Sequence, residues 1–216
     1  MKLSENELQE LARQLRCPDG ESGLKVGEMM NFTNSNIISK AIESLNLKDG
    51  DTVLEIGPGN GAHVKDIVSR ANVGYFGIDI SETMIAEAEK LNADLYNAAF
   101  YLTNGEHIPF SENHFDAAFT CNTIYFWKNP QEYANEIARV LQLGGIISIG
   151  FIPESTMQKI PFAKYGFTLY DIETVSKLME DAGLSVIAAN TDTEMVMSNS
   201  GEQIEREFVI LTAKKQ

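Results

Sequence analysis

Apolar positions recur along this chain with helical and extended periods by turns, and the alternation sets out a series of elements. Leu8, Leu11 and Leu15 fall at helical spacing behind Ser4 and Glu7, whose separation is that of a capping box, so residues 4 to 16 predict an amphipathic helix that Cys17-Pro18-Asp19-Gly20 ends. The stretch ESGLKVGEMM, residues 21 to 30, has no clear period and carries two glycines; with the residues up to 33 it reads as a flexible lid, or as a plain connector. Ile37, Ile38, Ala41, Ile42 and Leu45 share one face of a helix over about 34 to 46. Val53, Leu54 and Ile56 then form the short apolar run of a strand covered on both faces, interrupted by Glu55. Gly57, Gly59 and Gly61 follow at alternate positions, where the backbone can turn sharply into a helix from Gly61 to about Arg70.

The same alternation continues. Strands are expected at Val73 to Asp79, Phe100 to Leu102, Phe115 to Cys121 and Ile146 to Phe151. Between them Ser81 caps a helix with Met84, Ala88 and Leu91 on one face. Asn129, Pro130 and Glu132 start another, with Tyr133, Ile137, Val140 and Leu141 inward and Gly144-Gly145 closing it. Residues 152 to 170 are rich in Phe, Tyr and Met and read as a cover segment. Asp171 caps a helix with Ile172, Val175 and Met179 on one face and Gly183 at its end; strands at about 184 to 190 and 204 to 212, joined by a short linker, predict an antiparallel pair. Strand and helix alternating in this way predict an α/β, doubly wound, mostly parallel sheet, and the lack of a repeat or linker predicts a single domain over 1–216 with a helical cap at about 1–48. Ligands of such sheets bind at the carboxyl ends of the strands, which gathers Gly57 to Gly61, Asp79, Asn104 to Glu106 and Cys121 to Trp127 on one rim.

Composition narrows the partners. A formal net charge of -14, from 31 acidic against 17 basic side chains, makes nucleic acid a poor partner, because phosphate binding draws on clustered Lys and Arg. No apolar run approaches the roughly 18 residues that a membrane span needs, and MKLSENELQELARQL lacks the apolar core of a signal peptide, so a cytoplasmic protein is expected. Cys17 and Cys121 have no CxxC spacing, so no metal site and no disulfide framework are expected.

The rim supports two cofactor classes. Gly57, Gly59 and Ala62 satisfy the G-x-G-x-x-[GA] dinucleotide pattern, and Asp79, 18 residues beyond Gly61, can accept both hydrogen bonds of a ribose diol. A pyrophosphate tolerates acidic neighbours badly, whereas the ammonium and sulfonium of S-adenosylmethionine suit Glu55. Glu55 in a purely structural pairing is the plain alternative. LEIGPGNG, YFGIDIS, NGEHIPF, FDAAFTCNTIYFW and EIARVLQLGG, in that order, resemble the class I S-adenosylmethionine-dependent methyltransferases over roughly residues 50 to 152, in particular the small-molecule type of quinone biosynthesis.

The resemblance implies a Rossmann-like, seven-stranded sheet with an antiparallel last strand. It puts Glu55, Gly57, Gly59 and Gly61 around the methionine part of S-adenosylmethionine and Asp79 on the ribose. Ile80 would lie against the adenine; Asn104, where the family has aspartate, would accept from the adenine amino group; Gly105 would offer its N–H, with Glu106 completing the loop. Cys121 and Asn122 would lie beside the transferable methyl, and S-adenosylhomocysteine would be the product. His107 is the histidine nearest the rim and a candidate base, with a surface role as its alternative; Tyr125 and Trp127 are candidates to shape the acceptor pocket, or core. Met29, Met30, Phe32, Phe151, Met157, Phe162, Tyr165, Met195 and Met197 could cover the rim, which suggests an apolar or aromatic small-molecule acceptor. The Asn-Pro-Pro-Tyr signature of amino-group methylases acting on DNA and some proteins is replaced by CNTIYF. An NAD(P)-dependent oxidoreductase and a non-catalytic nucleoside-cofactor-binding module are the competing readings, and neither acceptor atom nor oligomeric state can be read from the chain.

Overall fold

The computed structural model of the protein describes residues 3–197 and 203–216; of the linker expected over about 191–203, residues 191–197 instead extend the strand and residues 198–202 lie outside the described residues. Ser4 closes the capping box with Glu7 at the start of α1 (Glu5–Arg16). Two further helices follow, α2 (Gly20–Thr33) and α3 (Ser35–Leu45). Strand and helix then alternate as β1 (Thr52–Ile56), α4 (Val64–Arg70), β2 (Gly74–Asp79), α5 (Glu82–Leu91), β3 (Ala98–Leu102), β4 (Phe115–Cys121), α6 (Pro130–Val140) and β5 (Leu141–Phe151). The short α7 (Glu154–Met157), α8 (Ile172–Asp181), β6 (Leu184–Met197) and β7 (Gln203–Lys215) complete the chain.

Among the described residues seven strands join one sheet in the order β3-β2-β1-β4-β5-β7-β6. β1 to β5 are mutually parallel, and β7 runs antiparallel to both β5 and β6, so the last strand is the reversed one, inserted between its two neighbours. β1 and β4 are adjacent although two βα units separate them in sequence; ligands of open α/β sheets settle above such a crossing. Val53, Leu54, Tyr75, Ile78, Ala118, Phe119, Ile147 and Ile149 fill the sheet's central strands and are fully buried or nearly so, as strands covered on both faces require.

Four local expectations are corrected. Residues 21–33 are helix, not an unpatterned flap, and the glycines are contact points: a Cβ on Gly23 would stand 2.7 Å from the Pro18 carbonyl carbon, and one on Gly27 3.0 Å from Met84 Sδ. Helix α4 starts at Val64 and not at Gly61, because Gly61 sits at φ +64°, outside the helical region. Gly144 and Gly145 lie inside β5; α6 stops at Val140, and Leu141 opens the strand, opposite a register break between Phe115 and Ala117. Asn129 holds the cap position of α6 without a side-chain cap bond, leaving Pro130 as the start signal.

Candidate active site

The carboxyl ends of β1, β2 and β4 open into a cavity of about 430 Å³, walled on the far side by α1, α2 and α3 through residues such as Leu15, Arg16, Gly27, Met30, Asn31, Asn34 and Ile38. The glycine turn makes this space. Gly57, at φ +76°, passes so close to the turn after β4 that a Cβ would strike the Thr123 methyl, whereas Gly59, at φ +57°, has nothing within 4 Å of where its Cβ would be. Gly57 is therefore a packing requirement and Gly59 an opening. Gly61 does not line the cavity; it packs on α5, its carbonyl accepting from Asn92 Nδ2 at 3.0 Å.

Of the residues expected at the rim, Glu55, Gly57, Gly59, Asp79, Ile80, Asn104, Gly105, Glu106, Cys121 and Asn122 all line this cavity. Asp79, at the end of β2, is 8% exposed, and its carboxylate accepts from Gly59 N–H at 3.1 Å and Ser81 N–H at 2.9 Å. Burial pushes its pKa up to about 6 against the lowering effect of those N–H bonds. Glu55 is 2% exposed. Its oxygens lie 2.9 and 2.8 Å from His63 Nε2, and the Tyr75 hydroxyl donates to Oε2. Burial opposes protonation of His63, but the Glu55 charge and hydrogen bond outweigh it and the imidazole pKa is raised. Burial, then Glu55, raises that of Tyr75.

Four expected roles change. Asn104 lines the cavity, but its side-chain oxygen accepts from the N–H groups of Glu106 at 2.9 Å and His107 at 3.2 Å, so the group left to face a ligand is its NH₂ and not the acceptor expected for an adenine amino group. The Gly105 N–H, expected to be free for a ligand, is directed at Thr103 Oγ1, 3.4 Å away. His107 is not on the cavity; its side chain is 64% exposed and pairs with Glu136 at 2.5 Å, while Arg139 holds the Glu136 carboxyl down at about 2. Tyr125 is likewise behind the cavity wall, with its buried hydroxyl donating to Asn122 Oδ1 at 2.9 Å. It steadies Asn122, which lines the cavity at φ +58°. Burial raises the Cys121 thiol pKa well above its ordinary value, which leaves a neutral thiol in place of a nucleophilic thiolate.

Residues 152–170 supply no side chain to the cavity; Phe167 packs on Phe126, with ring centroids 4.6 Å apart. Of the methionines and aromatics expected over the rim, Met30 lines the cavity, Phe151 and Met157 are in the core, and Phe32, Met195 and Met197 are exposed. Trp127 lines it, fixed by its indole N–H donating to Thr123 Oγ1 at 3.2 Å. His63 and Asn31 on the wall were not singled out as site residues from sequence. The four-residue spacing of Gly23 and Gly27 was the signal for α2, and the turn after β1 folds His63 back onto Glu55. Among the described residues no group of three His, Cys, Asp or Glu is placed to hold a metal ion, and no helix is long and apolar enough to cross a membrane.

A family model described as a methyltransferase domain matches residues 54–149. The chain is similar to a malonyl-[acyl-carrier protein] O-methyltransferase of Marinomonas sp. (strain MWYL1), 26% identical over 156 residues covering 71% of this chain and 57% of that one. It is also similar to an uncharacterised protein of Methanocaldococcus jannaschii, 31% identical over 147 residues covering 64% and 67%. The chain spans between about a third and just over half the length of the first curated relatives it matches. The fold recurs in a chain of the complex between the Haloferax volcanii Trm112 methyltransferase activator and a methyltransferase, with TM-score 0.77, 18% identity and coverage of 87% and 92%. It recurs again in Haemonchus contortus phosphoethanolamine N-methyltransferase 2 in complex with phosphomonomethylethanolamine and S-adenosylhomocysteine, with TM-score 0.66, 16% identity and coverage of 84% and 52%.

Proposed function

We propose that the chain, which carries a methyltransferase domain, is a class I S-adenosylmethionine-dependent methyltransferase that transfers the methyl group of S-adenosylmethionine to a small-molecule acceptor. The observation that carries this reading is the pair of nearly buried carboxylates, Glu55 and Asp79, on one cavity at the crossing of β1 and β4. The donor set fits the cofactor: Asp79 suits a ribose diol, Glu55 faces a cationic amino-acid end, and Gly59 leaves room for close approach. Ile80 with Gly105 and the Asn104 amide would hold the base, and Cys121 and Asn122 would stand at the reacting end. A dinucleotide is disfavoured by the same groups, since a pyrophosphate at this turn meets two carboxylates, and α4 begins only at Val64, three residues past the last glycine.

When bound, the cofactor supplies an activated methyl group on a sulfonium. The chain's part is alignment and exclusion of water, which can contribute effective molarities of about 10⁵ to 10⁸ M. Asn122, braced by Tyr125, is placed to orient an acceptor, and neither His107 nor Cys121 serves as a base. Met30, Ile38 and Phe126 on the wall favour an apolar or aromatic acceptor, and the net charge of -14 favours a small molecule over nucleic acid. Residues 3–48 act as the cap of a single unit, and the segment 152–170 buttresses the rim from behind.

Calorimetry with S-adenosylmethionine, S-adenosylhomocysteine and NADH tests the cofactor, and a labelled-methyl screen over phenols, amines, thiols and carboxylic acids tests the acceptor. Binding of the first two with transfer of label to one acceptor class is expected. Binding of NADH alone would overturn the reading, and tight cofactor binding with no acceptor in any class would favour a non-catalytic module.

A further inference from the structure

Glu55 lines the cavity with its carboxylate held from behind by two residues distant in the fold. His63 Nε2 bridges both oxygens at 2.9 and 2.8 Å, and the Tyr75 hydroxyl donates to Oε2 after crossing Gly77, where a Cβ would stand 3.2 Å from that hydroxyl. A carboxylate has about four lone-pair sites, so these two donors leave part of it to face the cavity. His63 also lines the cavity, and its ring edge meets Phe119 at a centroid distance of 6.5 Å.

We propose that His63 is a positioning residue of this cofactor site, whose protonation sets how strongly Glu55 attracts the positively charged amino-acid end of the cofactor. The proposal rests on the cofactor reading above. With His63 neutral, the bridge presents a full negative charge to the cavity; with His63 protonated, the pair is neutral and the attraction is lost. The charged groups facing His63 are Glu55 from β1 and Asp66 from the first turn of its own helix, with Phe119 from β4 and, through Glu55, Tyr75 from β2 completing its surroundings. Burial opposes a proton on His63, but the Glu55 charge and hydrogen bond outweigh it, raise the imidazole pKa and favour the protonated ring in the free protein. Linkage then requires that a cationic ligand bound beside Glu55 expel that proton.

The test is calorimetry of S-adenosylmethionine and S-adenosylhomocysteine binding to the wild type and His63→Gln between about pH 5.5 and 8.5, in buffers of different ionisation enthalpy. Glutamine keeps an N–H for Glu55 but carries no charge. A histidine pKa lowered by about one unit on binding corresponds to an affinity that rises about tenfold across the titration. His63→Gln is expected to bind more tightly than the wild type at the acid end, to match it at the alkaline end, and to release fewer protons. Asp79, whose pKa burial pushes up to about 6, also lines the wall, so the difference in release between wild type and variant is the quantity that reports His63. Equal weakening at every pH, or unchanged proton release, would reduce His63 to a structural role and overturn the proposal. Because the variant can fail to fold, NMR titration of the His63 ring in the wild type, with and without S-adenosylhomocysteine, gives a second reading: an unmoved ring pKa overturns the proposal. If the wild type binds neither ligand at any pH, the cofactor reading fails, and the proposal with it.

Discussion

Asp79 shows how a binding residue can cost stability. Its folded pKa of about 6 lies above the ordinary 3.8, so the folded state holds the proton more tightly; that contribution is complete below the unfolded pKa and is lost as pH rises through the folded one. Above that window the ionised, buried carboxylate costs roughly 3 kcal/mol in the free protein. Asp79→Asn is therefore expected to raise the Tm relative to the wild type by an amount that grows from about pH 4 to 7, while weakening cofactor affinity at least about tenfold. A pH-independent Tm difference would remove the buried charge as the cause. His107 sits at the opposite extreme, exposed and paired with Glu136 away from the cavity. His107→Ala is expected to leave cofactor affinity unchanged and kcat/KM within about twofold, measured with whichever acceptor the screen identifies.

At the scale of elements, α2 decides the shape of the site. Its sequence lacks a continuous apolar stripe because two of its buried positions are glycines, Gly23 and Gly27, and close approach replaces side-chain burial there. The two differ in what they touch. A Cβ at Gly23 meets the Pro18 backbone at 2.7 Å, which cannot yield, whereas one at Gly27 meets the flexible end of Met84 at 3.0 Å. Urea unfolding is expected to show Gly23→Ala destabilised by about 1–3 kcal/mol through overpacking. Gly27→Ala is expected near neutral, the helix-propensity gain of up to about 1 kcal/mol offsetting the crowding. The corner before α2 is tied to the end of β2 by the Ser81 hydroxyl, which donates to the Pro18 carbonyl. Strain at Gly23 is thereby expected to reach the Asp79 end of the cavity as well, and to appear as weakened cofactor binding.

Across the whole molecule, the reversed hairpin of β6 and β7 does more than complete the sheet. Arg206 and Glu194, 12% and 8% exposed, pair across the hairpin, while Arg206 donates to the Thr33 carbonyl and Asn36 to Glu194. The far edge of the sheet is thus tied to the junction of α2 and α3, the wall of the cavity opposite the strands. Arg206→Met leaves Glu194 largely buried without its cation and is expected to destabilise the fold by about 3–5 kcal/mol. The double change Arg206→Met, Glu194→Met is expected to recover much of that loss in thermal or chemical unfolding, because the isolated buried charge is gone.

Local pattern alone determined the order of the strands and of the longer helices other than α2, the rim of carboxyl ends that carries Gly59 and Asp79, and the capping of α1, α5 and α8, whereas Glu55 entered through its charge and the family resemblance. These are consequences of local pattern and of the handedness and connectivity that parallel sheets share. Helix α2 was hidden because periodicity records buried side chains and its buried positions have none. Asn104 differs from its expected role because its amide oxygen turns back onto its own loop, and for His107 the surface alternative holds, since closeness in sequence to the rim does not fix where a ring points. Only the tertiary structure brought Tyr75 and His63, 20 and 8 residues from Glu55, onto the same carboxylate. Such a junction of β1, β2 and the turn before α4 is set by sheet register and packing, for which no short stretch of sequence carries the signal.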